Sequence, residues 1–596
     1  MQRSADFMVM RSSFRPSIVT NTEPKGSGYH DARERSPLGP GGLIAMSLRL
    51  GIFLLLCTFA VAQTPDLIVH GARIASMDAR YPAATALAVA GERILALGSD
   101  DDILALADAK TRKVNARGAF LCPGFIDSHA HFAGVGRSLR NLDLVGCRSF
   151  ADLVKRVRDA AAAKPAGAWI QGRGWDQNLW PKKVLPRHGE LSAAIPDHPV
   201  MLRRVDGHAA LLNAVALKLA GIDAKTPNPP GGEILRDENG QPTGVLVDAA
   251  VGLVGRVLPR EDDENALRED LLHAQAICFE RGITMVHDPG ESWAMVDRMS
   301  DLMEKDRLKI RLYVMLSGSS PEQVRRTASR PPLLGAHDHR LFARSFKFYA
   351  DGALGSRGAA MLEDYADRPG HKGLLITRLE DLVAMGDAAT RRGYQFCVHA
   401  IGDRANRMVL DAVSILEGLD GRVRELRPRI EHAQILDAED IPRFAELGVI
   451  AAMQGVHATS DGPWVPTRIG RNRAEEGAYV WRKLLQAGAR ICNGTDAPVE
   501  RISPLACLES TVRRMTRAGP FFPAQRLSRR EALATYTVEG AYAAFQENRL
   551  GRLAPGYLAD FILLDKDLLS CPEDEIDQAR VLRTYVAGEL VFEADQ

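Results

Sequence analysis

The sequence predicts an α/β fold: a closed (β/α)8 barrel of the TIM type, a small β-sandwich built from both chain ends, and a large insertion after barrel strand 1. Three observations carry that expectation. Short apolar runs alternate with amphipathic stretches through the middle of the chain, the pattern of a parallel sheet with helical crossovers. Strand-and-turn patterns recur at the two ends and resemble each other more than they resemble the middle. About 150 residues separate the first two barrel strands, where a βα connection needs a handful. An open doubly wound sheet is the alternative, but no Gly-rich phosphate fingerprint follows an early strand.

Residues 1–45 are polar, rich in Ser, Arg, Gly and Pro, and lack an apolar period. They are expected to be disordered, or to be a start assigned upstream of a true initiator at Met46. Residues 46–62 combine a short positive lead, an apolar run from Ile52 to Ala62 and the small-x-small site Ala60-Val-Ala62. That is a secretory signal peptide cleaved near Ala62; a membrane span would need about 20 apolar residues. The protein is therefore expected to be exported, to the periplasm or beyond. Residues 63–120 and 545–596 should form the composite sandwich, from Asp66–Gly71, Thr85–Ala90, Ile94–Gly98, Gly556–Asp565 and Val581–Val586.

The barrel is expected over 121–544. Its strands are read at Pro123–His131, Gly282–His287, Ile310–Met315, Ser345–Ala350, Gln395–Ala400, Arg429–His432, Val449–Met453 and Arg490–Asp496. Leu379–Arg392 and Arg404–Glu417 read as helices between them. The insertion, about 135–280, carries Ala168–Asp176, Val200–His208 and Gly231–Leu235 and should fold over the barrel mouth.

Charge excludes a polyanion partner, since 76 Lys+Arg stand against 75 Asp+Glu. A small-molecule partner is expected, with no nucleic acid and no membrane span; a homodimer is compatible with this reading. Eight cysteines show no Cys-x-x-Cys pair, and seven remain once Cys57 leaves with the signal peptide. An odd, irregular set argues against a disulfide framework, so Cys122, Cys397 and Cys492 read as small core residues.

The chemistry collects at strand ends. Residues two apart on a strand share a face, so His129 and His131 can chelate one ion, although two hydrogen-bonded histidines would look the same. In the fourth strand, alternation puts Lys347, Tyr349 and Asp351 on one face, with Phe346 and Phe348 on the other. The fifth ends in His399, the sixth in His432 and the eighth in Asp496. A parallel barrel brings all these ends to one rim, where active sites form. His287 and His457 sit at further strand ends and read as core or supporting residues. Trp175 and Trp180 line a pocket or form the insertion's own core.

This constellation resembles the amidohydrolase superfamily, whose members open with Pro-Gly-x-x-Asp-x-His-x-His, as at Pro123–His131 here. Within it the chain resembles the YtcJ-like (amidohydrolase-3) family through Lys347–Arg357, His399-Ala-Ile-Gly-Asp403, Arg429–Ala433, Asn493–Pro498 and Val205–Ala209. The resemblance implies two divalent metal ions, with zinc the commonest choice. It places His129, His131 and Asp496 on one and His399 and His432 on the other, bridged by a CO2-derived carbamate on Lys347. A salt-bridged Lys347 would leave a single metal. It also implies a metal-activated hydroxide attacking a carbonyl, with Asp496 as the proton carrier between the nucleophile and the leaving nitrogen. His208, Tyr349, Asp351 and Trp175 are the substrate-side candidates, Asp351 also being placed to position Lys347 or His399. The expected activity is hydrolysis of a small molecule's C–N bond, amide-type, as in N-formyl or N-acyl compounds. The alternatives are a cyclic-amide hydrolase, a deaminase or an esterase on the same barrel, and a non-catalytic binding protein.

Overall fold

Eight parallel strands run around the barrel: β1 (Phe125–Asp127), β2 (Ile283–Glu291), β3 (Arg311–Ser317), β4 (Leu341–Tyr349), β5 (Gln395–Ala400), β6 (Arg429–His432), β7 (Ile450–Met453) and β8 (Arg490–Asn493). Each pairs in parallel with its neighbour in chain order. The strands are buried almost throughout, as expected of a sheet with helices on its outer face. The computed structural model describes residues 63–259 and 263–595, so the expected leader at 46–62 and the segment before it lie outside the described residues.

The strand ladder stops between β8 and β1, yet the seam is bonded. Ser128 N–H donates to the Asn493 carbonyl at 3.0 Å, Asp496 N–H to the His129 carbonyl at 2.7 Å, and His131 N–H to the Ala497 carbonyl at 2.8 Å. The first strand is therefore shorter than the sequence suggests: Ser128–His131 lie beyond its end, as Gly494–Asp496 lie beyond the end of β8. The cause is Asp127. Its Oδ1 accepts from the N–H groups of His129 (3.2 Å) and Thr495 (3.0 Å), and its Oδ2 from the Thr495 hydroxyl (2.7 Å). A side chain takes over where ladder bonds would have continued.

Helices cover the outside, among them Leu379–Thr390 and Asp403–Asp420 close to where periodicity predicts them. Phe346 and Phe348 stack at 5.9 Å within the apolar layer on that side, while Lys347 and Tyr349 line a cavity on the other. The alternation read from the sequence holds as far as Tyr349, where the strand ends; Asp351 lies beyond it.

Both chain ends contribute to sheets outside the barrel. A four-stranded sheet comes from Leu67–His70, Ala86–Ala90, Arg93–Gly98 and Arg112–Asn115. A five-stranded one joins Arg73–Ile74 and Phe120–Pro123 to Phe561–Leu564, Val581–Val586 and Glu589–Glu593. Leu67, Val69, Leu87, Leu121, Phe561 and Tyr585 share one apolar cluster between them. Between β1 and β2 the chain builds a six-stranded sheet, in the spatial order Gly232–Arg236, Pro242–Asp248, Ala209–Leu212, Val200–Arg204, Ile170–Trp175, Leu142–Asp143. Residues 63–596 form one compact unit. All seven cysteines among the described residues are unpaired, and no described helix is long and apolar enough to cross a membrane.

One buried ion pair ties the barrel to the C-terminal sheet. Arg311 at the start of β3 gives Nε to Asp560 Oδ2 at 2.7 Å and Nη2 to Oδ1 at 2.9 Å, and Nη1 to the carbonyls of Asp338 and His339. Asp560 also accepts the Ala587 N–H. Removing one member of such a pair strands the other in the interior. Asp560→Ala is expected to cost about 3–5 kcal/mol, read as a lowered urea midpoint.

Candidate active site

Five of the barrel strands whose ends the sequence singled out bring a residue to one cavity of about 930 Å3. His131, Lys347, His399, His432 and Asp496 line it. Asp496 is the hub. Its Oδ1 lies 3.7 Å from His129 Nε2 and 3.5 Å from His131 Nε2, and its Oδ2 lies 3.9 Å from His432 Nδ1 and 3.8 Å from His457 Nε2. Two groups of donors are close enough to hold an ion: His129, His131, Asp496 and His432, His457, Asp496. Lys347 Nζ stands 3.3 Å from His129 Nε2. The His399 ring lies 4.6 Å from that of His432, and His399 Nε2 lies 3.6 Å from Asp351 Oδ1.

The donor set fits metal. His399 Nε2 and His457 Nε2 are buried without a hydrogen-bond partner, an arrangement that costs free energy unless an ion or other ligand answers it. Burial lowers the imidazolium affinity of His129 to about 4 and pulls His399 and His432 well below their ordinary value, so all three present lone pairs at neutral pH. Burial alone would raise the Asp496 carboxyl, but His131, His432 and His129 hold it well below its usual range. Burial brings the Lys347 ammonium down to about 8, which puts a reactive amine within reach of neutral pH.

Backbone geometry is specialised here. Asp496 has φ +56° and His432 φ +78°, left-handed conformations that a residue other than glycine adopts at a cost. Gly494 lets β8 close on β1, since a Cβ there would sit 2.4 Å from His129 N and 2.7 Å from Asp127 Oδ1.

Several supporting residues escaped the sequence reading. Glu431 precedes His432, is in register with His399 on the neighbouring strand and is fully buried, and its Oε2 meets His129 Nδ1 at 2.5 Å. That fixes the tautomer and leaves Nε2 facing the cluster. Arg429 pairs with Glu431 at 2.9 Å and also reaches His287 Nδ1, so His287 serves beneath the site rather than in the cavity. His457, read as a core or supporting residue, sits in one of the two ion-competent groups and lines the cavity. It follows β7 on the helix Gly455–Asp461, and its rim position was its one sequence signal.

The substrate-side candidates divide. Tyr349 lines the cavity with its ring 5.1 Å from Lys347 Nζ. His208, from the insertion, also lines it; its Nδ1 meets Asp248 at 2.7 Å and its ring lies 4.9 Å from that of His399. Asp351 does not line the cavity. It is fully buried and accepts N–H bonds from Ile401, Gly402 and Ala360, which makes it an anchor beneath His399. Trp175 is likewise corrected: it lies inside the insertion's core with Trp180, its Nε1 bonded to the Leu202 carbonyl. An aromatic in a Gly-rich strand resembles a pocket wall in sequence, but this face of the strand turns inward.

A TIM-type barrel whose rim gathers histidines, a lysine and an aspartate is the architecture of a metal-dependent hydrolase. The chain belongs to the amidohydrolase family: the family model for amidohydrolase-3 matches residues 112–592. The Bacillus subtilis protein YtcJ is 32% identical over 81% of this chain and 91% of its own length. The N-substituted formamide deformylase of Arthrobacter pascens is 26% identical over 89% of this chain and 99% of its own. A metal-dependent hydrolase of Pyrococcus furiosus superimposes with a TM-score of 0.65 at 28% identity, covering 85% of this chain and 100% of that one.

Glu431 supplies a test of the support beneath the site. Burial would raise its carboxyl, but the charges of Arg429 and His129 outweigh burial and hold it well below the ordinary 4.5. A depressed carboxylate contributes its full stabilisation above that ordinary value and loses it as pH falls toward the folded-state value. Glu431→Gln is therefore expected to lower stability by about 3–5 kcal/mol at pH 7. In urea titrations the gap to wild type should stay constant down to pH 4.5 and narrow below it.

Proposed function

We propose that this site hydrolyses the C–N bond of an amide-type small molecule, with N-formyl and N-acyl compounds as the substrate class. The observation that carries the reading is the convergence of Asp496, five histidines (His129, His131, His399, His432 and His457) and Lys347 in and beside one concave chamber. The likeness to a formamide deformylase over nearly all of both chains supports the choice of bond.

In this reading His129, His131 and Asp496 would hold one divalent ion and His399 and His432 a second, with Lys347, as its carbamate, and His457 as further donors. Zinc is the proposed ion. Such ions, when bound, polarise a carbonyl and lower the pKa of water from about 15.7 toward 7.

The protein's own residues do the rest. Asp496, held ionised, is positioned to accept a proton from the attacking water and return it to the leaving nitrogen. Tyr349, whose hydroxyl burial pushes up to about 12, stays protonated and can donate to the oxygen that gains charge. His208, raised by its bond to Asp248 against the opposing effect of burial, can donate from the insertion side. The insertion walls the chamber and limits water around the reacting group. Export to the periplasm or beyond is proposed on the leader pattern.

Asp496→Asn is expected to lower kcat on an N-acyl or N-formyl amine by about 10²–10⁴-fold, measured with the Zn- and Mn-loaded protein. Mass spectrometry of Lys347→Ala should find one tightly bound ion where wild type holds two. Two retained ions would remove Lys347 from the bridge.

A further inference from the structure

Two arginines of the insertion stand side by side on the cavity wall. Arg173 in the strand Ile170–Trp175 and Arg203 in Val200–Arg204 are direct cross-strand partners, and both line the chamber that holds Asp496 and His131. Like charges in register on neighbouring strands repel. Among the described residues no carboxylate comes within the 4.0 Å of an ion pair with either guanidinium. The nearby acids are otherwise engaged: Asp143, in register with Arg173 on its other side, accepts the Val145 N–H at 2.8 Å, and Arg204, next in sequence to Arg203, takes both Asp176 and Asp206 and gives Nε to Gln177 at 2.8 Å.

Arg173 is held in place without being neutralised. Its Nη2 donates to the Val205 carbonyl at 3.0 Å, and its Nε is buried with no partner. Gly207 leaves the space it occupies, since a Cβ there would lie 3.2 Å from Nη2. Burial weakens the proton hold of both arginines; for Arg203 the charges of Arg173 and Arg137 add to it, while for Arg173 those of Asp496 and Asp206 oppose it. Two half-buried, mutually repelling guanidiniums on one wall are a place for an anion to complete. The planar fork of arginine suits a carboxylate. A chamber of about 930 Å3 has room for both that group and the bond at Asp496.

We propose that Arg173 and Arg203 jointly receive a carboxylate of the substrate, so that the amide cleaved at Asp496 is that of an N-acyl amino acid. The proposal rests on the amide-hydrolase reading above. Water adds its hydroxyl to the acyl carbon and a proton to nitrogen as the C–N bond breaks, releasing a carboxylic acid and a free amino acid. The arginines take no part in that step; they decide which amide is presented.

The test compares N-acetylleucine with N-acetyl-3-methylbutylamine, which differs from it by the carboxylate alone. Wild type should prefer N-acetylleucine in kcat/KM by at least tenfold. Arg203→Met should reduce that preference at least tenfold, mainly through KM, while Arg203→Lys retains part of it. Thermal unfolding of Arg203→Met should come at or above the wild-type temperature, because a repulsion is removed; a structural role for Arg203 would lower it. A wild type that prefers the neutral amide, or an unchanged preference in Arg203→Met, overturns the proposal. If wild type cleaves neither compound, the amide reading fails by itself and calorimetric binding decides the arginine pair. N-acetylleucine bound by wild type and at least tenfold more weakly by Arg203→Met supports it; equal binding, or none to wild type, overturns it.

Discussion

Asp127 holds the seam on which the rest of the rim depends. Fully buried, its carboxyl is pushed up to about 7 by loss of solvent, yet it accepts from the His129 and Thr495 N–H groups and from the Thr495 hydroxyl. These bonds end β1 and β8 early and turn the two chain segments toward each other. His129, His131 and Asp496 share a centre because this carboxylate replaces ladder bonds there, and Gly494 lets the backbones approach closely enough. Without that seam the sheet would still present eight strands, but its first and last ligands would belong to two separate edges.

The electrostatics divide into layers. Beneath the rim, Arg429, Glu431 and Asp351 are buried and bonded, and they set the tautomer of His129 and the backbone around His399. At the rim the imidazoles are neutral and Asp496 is charged, the protonation states in which nitrogen and oxygen donate electron pairs. Above it the insertion supplies charge of the opposite sign in Arg173, Arg203 and Arg204, of which Arg204 alone is matched by carboxylates. The barrel thus supplies the chemistry, and the insertion supplies the surroundings in which a substrate is read.

The barrel was legible in sequence because parallel strands buried on both faces read as short apolar runs, and all eight were located. The candidate donors at His129, His131, Lys347, His399, His432 and Asp496 were legible because each sits at or near the end of such a run. What could not be read depends on direction and register. Glu431 lies inside a quoted motif, but its partnership with His129 crosses 302 positions of chain. His457 carries no local pattern, since a histidine on a short helix is ordinarily a core or surface residue. For Trp175 and Asp351 the sequence left two readings open, pocket wall or insertion core for one and substrate side or support for the other, and in the fold both side chains turn inward. Arg173 and Arg203 stand 30 residues apart, and a strand pairing that composition does not announce brings them together.

The seam also sets an order of events in the life of the chain. Asp127 and Thr495 are 368 positions apart, so the pocket's first and last donors cannot meet until nearly the whole barrel has been made. A ribosome-bound chain would carry His129 and His131 without Asp496, a loose pair with little power to retain an ion. An ion held by this donor set would therefore be taken up only as folding finishes.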